Sequence, residues 1–313
     1  MMMATALMEL TVGQVAKALP EHPKLHAVSI EATVDSAFEY MDHEGITVAP
    51  VLDNGTYPYL LSVVDLVDYV MLRNLDATKT GTASLTAAEL QPENVPGLKD
   101  TLEKVIEGRD ASYFELPSVE EAAPFWKLLC ILAEGRHKVL VKGDPQGKYA
   151  GRPYLFSQHD AISYLNENPA LLPEALRAST AEAMGYSPRP IYKAKKDMRV
   201  VELIRELVRM DITAVPLVDD TDRVIGNFST SDLKGMDDVM LQDLVLPVVT
   251  FLKEENARGA GHPIVVHEDA DLGEIIVLLA YSGAHRVWIV DKDNKAVGVC
   301  AMTDIISSII TTA

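Results

Sequence analysis

A single unit recurs four times along this chain, and the recurrence restricts the folds open to it more than any other feature. Each copy runs from a β-branched strand through an acidic turn to a second strand that ends in an aspartate. In the third copy Ile212-Thr213-Ala214-Val215-Pro216-Leu217-Val218-Asp219 is followed by Gly226-Asn227-Phe228-Ser229-Thr230-Ser231-Asp232. In the fourth, Ala284-His285-Arg286-Val287-Trp288-Ile289-Val290-Asp291 is followed by Gly298-Val299-Cys300-Ala301-Met302-Thr303-Asp304. The first and second copies diverge but keep the order: Gly45-Ile46-Thr47-Val48-Ala49-Pro50-Val51-Leu52-Asp53 leads to Ser62-Val63-Val64-Asp65, and Gly135-Arg136-His137-Lys138-Val139-Leu140-Val141 leads to Ser157-Gln158-His159-Asp160.

An amphipathic helix is expected before each first strand, because apolar residues fall at helical spacing: Val200, Leu203, Ile204 and Leu207 in the third copy, Leu272, Ile275, Ile276 and Leu279 in the fourth. A second helix follows each closing aspartate. One such unit is too small to bury two helices and a sheet, so copies must pair.

On these residues the four units resemble cystathionine-β-synthase (CBS) domains, small βαββα modules that pair into Bateman modules and usually bind adenine nucleotides. Four of them in one chain resemble the γ (Snf4-type) subunit of AMP-activated or Snf1-like protein kinase, over nearly the whole sequence. The resemblance implies an α/β fold of four CBS units paired into two Bateman modules, arranged as a disc. Breaks in composition place repeat one at residues 8–75, a polar linker at 76–110, repeat two at 111–168, a second linker at 169–187 that separates two halves, and repeat three at 188–240. Residues 241–313 hold a further linker and repeat four.

With 28 basic against 46 acidic residues the net charge is −18, a field that repels nucleic-acid backbones and anionic membranes. A bound anion has to meet a local basic cluster. Cys130 and Cys300 alone suggest no disulfide framework. The apolar start Met1-Met2-Met3-Ala4-Thr5-Ala6-Leu7-Met8 lacks the basic flank of a signal peptide, and no apolar run is long enough to span a bilayer. A soluble protein of the cytoplasm, with the nucleus also open, is expected.

The closing aspartates Asp65, Asp160, Asp232 and Asp304 stand where a strand gives way to a helix. There a carboxylate can cap the helix or accept hydrogen bonds from both hydroxyls of a ribose, and the two roles can coexist. The resemblance implies the ribose role, with Ser62, Ser157 and Ser229 touching sugar or phosphate beside their aspartates. Ala301 takes the serine place in the fourth copy, where Thr303 still offers a hydroxyl next to Asp304.

For phosphate, the resemblance points to the His285-Arg286 pair and to His137-Lys138; Arg binds bidentately where Lys acts as a point charge. Strand alternation would instead leave one member of each pair solvated. The first unit has Thr47 where the family often has Arg. Lys193, Lys195 and Lys196 read as a solvated run, and His267-Glu268-Asp269-Ala270-Asp271 as a helix start rather than a metal site. Asp219-Asp220-Thr221-Asp222 and Asp291-Lys292-Asp293-Asn294 read as hairpin turns. His22 and His26 straddle Pro23 in a segment read as loop, without metal spacing.

Catalytic patterns fail. Gly143-Asp144-Pro145-Gln146-Gly147-Lys148-Tyr149 is one residue short of a P-loop and ends in Tyr rather than Ser or Thr. No kinase glycine-rich loop is present. The chain is therefore expected to be a non-catalytic sensor with AMP, ADP or ATP as regulatory ligands and kinase α and β subunits as partners, adenine entering an apolar gap lined by Val215 and Val287. The alternatives are a stand-alone CBS regulator of another target, such as a phosphatase, and a scaffold that binds nothing.

Overall fold

Every copy of the repeat folds into three strands in the same order. The computed structural model describes residues 2–75, 85–255 and 263–312; residues 79–82 and 256–261, read above as linker and loop, lie outside the described residues. The four sheets are β1 (Val28–Ser29), β2 (Val48–Asp53) and β3 (Thr56–Ser62); β4 (Ser118–Glu120), β5 (Lys138–Lys142) and β6 (Tyr154–Ser157); β7 (Ala194–Lys195), β8 (Ala214–Val218) and β9 (Val224–Ser229); and β10 (Val265–His267), β11 (Arg286–Val290) and β12 (Ala296–Ala301). In each, the first pair is parallel and the second antiparallel.

Connection length explains the pattern. A parallel pair needs a crossover, supplied by the amphipathic helices Val34–His43, Phe125–Ala133, Val200–Met210 and Leu272–Ser282. Three of the antiparallel pairs close through short turns, while β5 and β6 are joined by the longer loop of residues 143–153. Asp291 Oδ1 accepts the backbone N–H groups of Asp293 and Lys295, each at 2.9 Å, and Asp219 Oδ1 accepts those of Thr221 and Arg223 at 2.8 and 3.0 Å. The acidic turns are thus hairpin turns, as their composition indicated.

The break at 169–187 does not divide the chain into compact halves. One compact unit, unit one, joins Met1–Leu25, Leu116–Ile191 and Pro263–Ala313, and the other, unit two, joins His26–Glu115 and Tyr192–His262. Unit one therefore holds repeats two and four. Their helices Gln158–Glu167 and Leu272–Ser282 pack together, as do Phe125–Ala133 and Met302–Thr312, around a core that includes Phe125, Leu129, Phe156, Ile275 and Ile305. Residues 8–25, expected to open repeat one, pack in this unit instead. Gly13 and Val12 donate their N–H groups to the carbonyls of Glu121 and Ala123, both at 2.9 Å, and Leu10 accepts that of Phe125 at 2.8 Å.

Unit two holds repeats one and three, with Phe38, Leu66, Ile204, Phe228 and Phe251 in its core. Much of the stretch read as linker belongs to that core: Leu85, Leu90, Leu98, Leu102 and Val105 are buried in it. The Leu102 N–H donates to Ala32 O at 2.9 Å, which ties the stretch to the start of repeat one. No helix of the described residues is long and apolar enough to cross a membrane.

Candidate functional site

The four closing aspartates share one local geometry. In each, Oδ2 accepts the backbone N–H of the residue three before it, at 2.8 Å for Ser62–Asp65, 2.7 Å for Ser157–Asp160, 2.6 Å for Ser229–Asp232 and 2.7 Å for Ala301–Asp304. Three of the preceding residues are serines whose hydroxyls donate to the same oxygen, at 2.5, 2.6 and 3.0 Å. This is a reciprocal cap in which the strand's last residue and the helix's third satisfy each other's backbone. Ala301 has no hydroxyl to offer, and the fourth cap survives on its N–H alone. Since the cap uses Oδ2, a carboxylate here keeps a second oxygen for another partner.

What that partner is differs from copy to copy. Burial pushes the Asp65 carboxyl above the usual range, against its Ser62 hydrogen bonds and the pull of Arg109. Burial likewise raises Asp232, with Ser229 opposing. At Asp160 burial pushes upward too, but His22 and Ser157 outweigh it and the carboxyl lies below its ordinary value. Asp304 Oδ1 receives Arg189 Nη1 at 3.1 Å.

In unit one the basic pairs reach the same place as the aspartates. Antiparallel register sets Lys138 opposite Ser157 and Arg286 opposite Ala301, so each cation begins its strand beside the residue that starts the following helix. His137 and His285 precede those strands, and alternation within a strand does not separate them from their neighbours. Their ring centroids are 6.4 Å apart. Both imidazoles are open to solvent, yet crowding by protein lowers His285 to about 4: burial contributes most, followed by His137, Arg286, Lys138 and His159. His137, Lys138, His159, His285 and Arg286 thus form one basic cluster. Desolvation also depresses Lys138, with Asp160 opposing, and lowers Arg286 to about 10, with Asp304 opposing.

Three side chains tie this cluster together. Gln158, buried, donates from Nε2 to Thr303 Oγ1 at 2.8 Å and to Leu132 O at 3.0 Å, while its Oε1 lies 3.1 Å from His137 Nδ1. Thr303, expected to serve a sugar beside Asp304, instead joins the fourth repeat to the second. His159 Nε2 donates to Ala280 O at 3.2 Å. Of these groups Gln158 and His159 lie within the motif Ser157-Gln158-His159-Asp160, where only the ends drew notice; Arg189 lies at the start of the stretch read as the third repeat, where nothing marked it.

Unit two is built differently at the matching positions. Val48 stands opposite Ser62 and Ala214 opposite Ser229, where unit one has cations. Near Asp65 the guanidinium of Arg109 lies 3.6 Å above the Tyr113 ring and 4.0 Å from Asp68 Oδ2. Lys193 and Lys196 pair with Asp222 and Asp220 at 2.8 and 2.7 Å, and Lys195 reaches Asp219 O at 3.3 Å. That basic run serves its own hairpin turn. Val215 and Val287 are 0% exposed within the cores of their respective units. They face packed helices, so neither lines an adenine gap.

Comparison with known proteins accounts for this architecture. The CBS domain family model matches residues 186–236 and 260–311. Those two stretches, which hold repeats three and four, are similar to CBS domains. It is 23% identical to Protein SDS23 of Scheffersomyces stipitis over 88% of its own length and 57% of that protein's. It is 24% identical to the SNF1-related protein kinase regulatory subunit gamma-like PV42b of Arabidopsis thaliana over 56% of the chain and 58% of that protein. The chain thus spans a little over half the length of these curated relatives. A crystal structure described as a putative archaeal homologue of γ-AMPK, from Methanocaldococcus jannaschii, superposes with a TM-score of 0.67 at 14% identity, covering 96% of this chain and 99% of that one. The fold is α/β with paired CBS units.

Proposed function

We propose that this CBS-domain protein is a regulatory subunit that binds AMP, ADP or ATP, and that unit one is where it reads them. The observation that carries the reading is the gathering of Lys138, Arg286, His137, His159 and His285 in one cleft beside Asp160 and Asp304, in a chain of net charge −18. A desolvated guanidinium and ammonium held together are stabilised by an anion between them. A carboxylate capping a helix with one oxygen can take a sugar hydroxyl on the other. Because the three nucleotides share adenine and ribose, discrimination falls to the phosphate end, and regulation requires that the protein's states differ in affinity for them.

Thermal melts with millimolar AMP, ADP and ATP test the reading, since a ligand at a hundredfold its Kd adds ~2.7 kcal/mol. A melting temperature that none of the three moves would leave the scaffold reading. The target is an AMP-activated or Snf1-like kinase on this proposal, supported by the likeness to the Arabidopsis gamma-like subunit and the archaeal structure. A stand-alone regulator of another enzyme, such as a phosphatase, draws support from the SDS23 proteins, whose alignment covers more of the chain. Purification of the tagged protein from its own cells separates the two by whether kinase α and β subunits accompany it.

A further inference from the structure

We infer that residues 20–25 are a resident occupant of the second repeat's cleft, with His22 standing against the Asp160 carboxylate that a nucleotide's sugar would meet, so that this carboxylate takes a nucleotide only after the segment withdraws. The inference rests on the nucleotide-binding reading above.

His22 comes from the segment that the sequence pattern left as a loop, yet it is 7% exposed. Its Nε2 lies 3.5 Å from Asp160 Oδ2, its Nδ1 lies 2.6 Å from the Tyr149 hydroxyl, and its backbone N–H donates to the same hydroxyl at 3.1 Å. The ring lies 4.8 Å from that of Tyr154 and 5.8 Å from that of Phe156. An imidazole in an aromatic slot, with a ring nitrogen turned to a carboxylate, presents the same chemistry as a flat nucleoside with hydroxyl donors.

The segment is tethered from outside the cleft. Lys148 donates from Nζ to the carbonyls of Ala16 and Leu19 at 3.1 and 2.8 Å. That gives a role to the glycine-flanked loop that failed as a phosphate cradle. The fit inside the cleft is incomplete. The Tyr154 hydroxyl is buried without a hydrogen-bond partner, and His22 Nε2, also buried, meets only the Asp160 carboxylate, at the long distance of 3.5 Å. Buried polar atoms left unmatched favour exchange for a ligand that satisfies them. At Asp304 the covering group is instead Arg189, a partly exposed side chain in an ion pair, which a ligand can displace without moving backbone. Unit one accordingly offers one nucleotide position readily and a second only against competition from its own chain.

The competition predicts magnitudes. When a site is mostly closed, the apparent Kd is raised by the inverse of the open fraction, so His22→Ala should tighten AMP at the Asp160 position at least about tenfold and bring a further bound AMP into view by calorimetry and native mass spectrometry. Lys148→Met removes the tether while leaving His22, Asp160 and the aromatic side chains of the slot in place, and should act in the same direction, which keeps the test open if His22→Ala folds poorly. In the wild type, raising AMP to saturation should speed hydrogen exchange at the His22 amide, a change that a purely structural histidine would not show. If both variants bind AMP with wild-type stoichiometry and affinity, and His22 exchange ignores AMP, the resident-occupant inference is overturned while nucleotide binding stands. If no variant binds AMP at all, the nucleotide reading fails and this inference falls with it.

Discussion

Opposite the residue that opens the second helix, unit one carries Lys138 and Arg286 where unit two carries Val48 and Ala214. The surrounding parts are alike: the same three-stranded sheet, and the same carboxylate bonded to the N–H three residues back. The comparison separates two jobs that the aspartate motif confounds. Capping is common to both units and belongs to the fold, whereas a cation on the strand opposite the cap is found in unit one alone among the described positions. The carboxyls register the difference. Burial outweighs the groups that oppose it at Asp65 and Asp232, which are raised, while His22 and Ser157 overcome it at Asp160, which is lowered.

The largest effect expected from breaking this asymmetry is at Arg286. Arg286→Gln removes a charge-assisted contact worth roughly 1.5–3 kcal/mol, so AMP should weaken about ten- to a hundredfold. Adenosine, which has no phosphate, should bind as before. Competition titrations with both ligands check this; an equal loss for the two would mean that Arg286 shapes the cleft without reading charge.

A smaller effect is expected in unit two. Asp232→Ala removes the cap that accepts the Ser229 N–H and hydroxyl, which should cost ~1 kcal/mol in urea denaturation. AMP affinity at the unit-one site should stay as it was. A fall in total bound AMP for this variant would show that unit two also takes nucleotide and that the missing cations are not decisive.

How far the sequence revealed these sites follows from the range of the interactions. The strands, acidic turns and crossover helices were legible because period and turn chemistry are local, and so was Ser157-Gln158-His159-Asp160 as a helix start. The pairing of repeats two and four was not, because it depends on which helix faces bury each other across more than a hundred residues. Thr303 shows the same limit: its spacing from Asp304 suggested a shared ligand, but Gln158 of another repeat takes its hydroxyl. His22 left no local signal at all, since nothing around Pro23 marks a residue destined for a distant aromatic slot. Val215 and Val287, expected to line an adenine gap, are sealed in their cores, a difference the sequence does not carry because a strand buried on both faces shows no alternation to read.

A third prediction uses the carboxyls themselves. At Asp65 the folded pKa lies above the unfolded value, so its contribution to stability improves as pH falls through the folded pKa and is lost as pH rises. At Asp160 the folded pKa is depressed, so its contribution is present above the unfolded value near 3.8 and is lost as pH falls through the folded pKa. Denaturation of wild type, Asp65→Asn and Asp160→Asn between pH 7 and the acid limit should therefore give wild-type-minus-variant differences of opposite slope. Parallel slopes would mean that His22 does not compensate Asp160 and that the two units meet burial in the same way.

The smallest expected effect is a fraction of a proton, and it locates the phosphate. His285 is held at about 4 against an ordinary 6.5, by burial first and then by His137, Arg286, Lys138 and His159. Without ligand the folded protein thus binds fewer protons than the unfolded chain between those values, and this group's contribution to stability is lost as pH falls from 6.5 towards 4. A phosphate seated among the same cations adds negative charge beside the imidazole and raises its pKa. AMP binding near pH 6 should then take up part of a proton, and its calorimetric enthalpy should vary with the ionisation enthalpy of the buffer. Adenosine should show no such dependence, and His285→Gln should abolish it for AMP. An AMP enthalpy that is the same in every buffer would place the phosphate away from His285, and with it would go the claim that the cations of unit one are what set the two units apart.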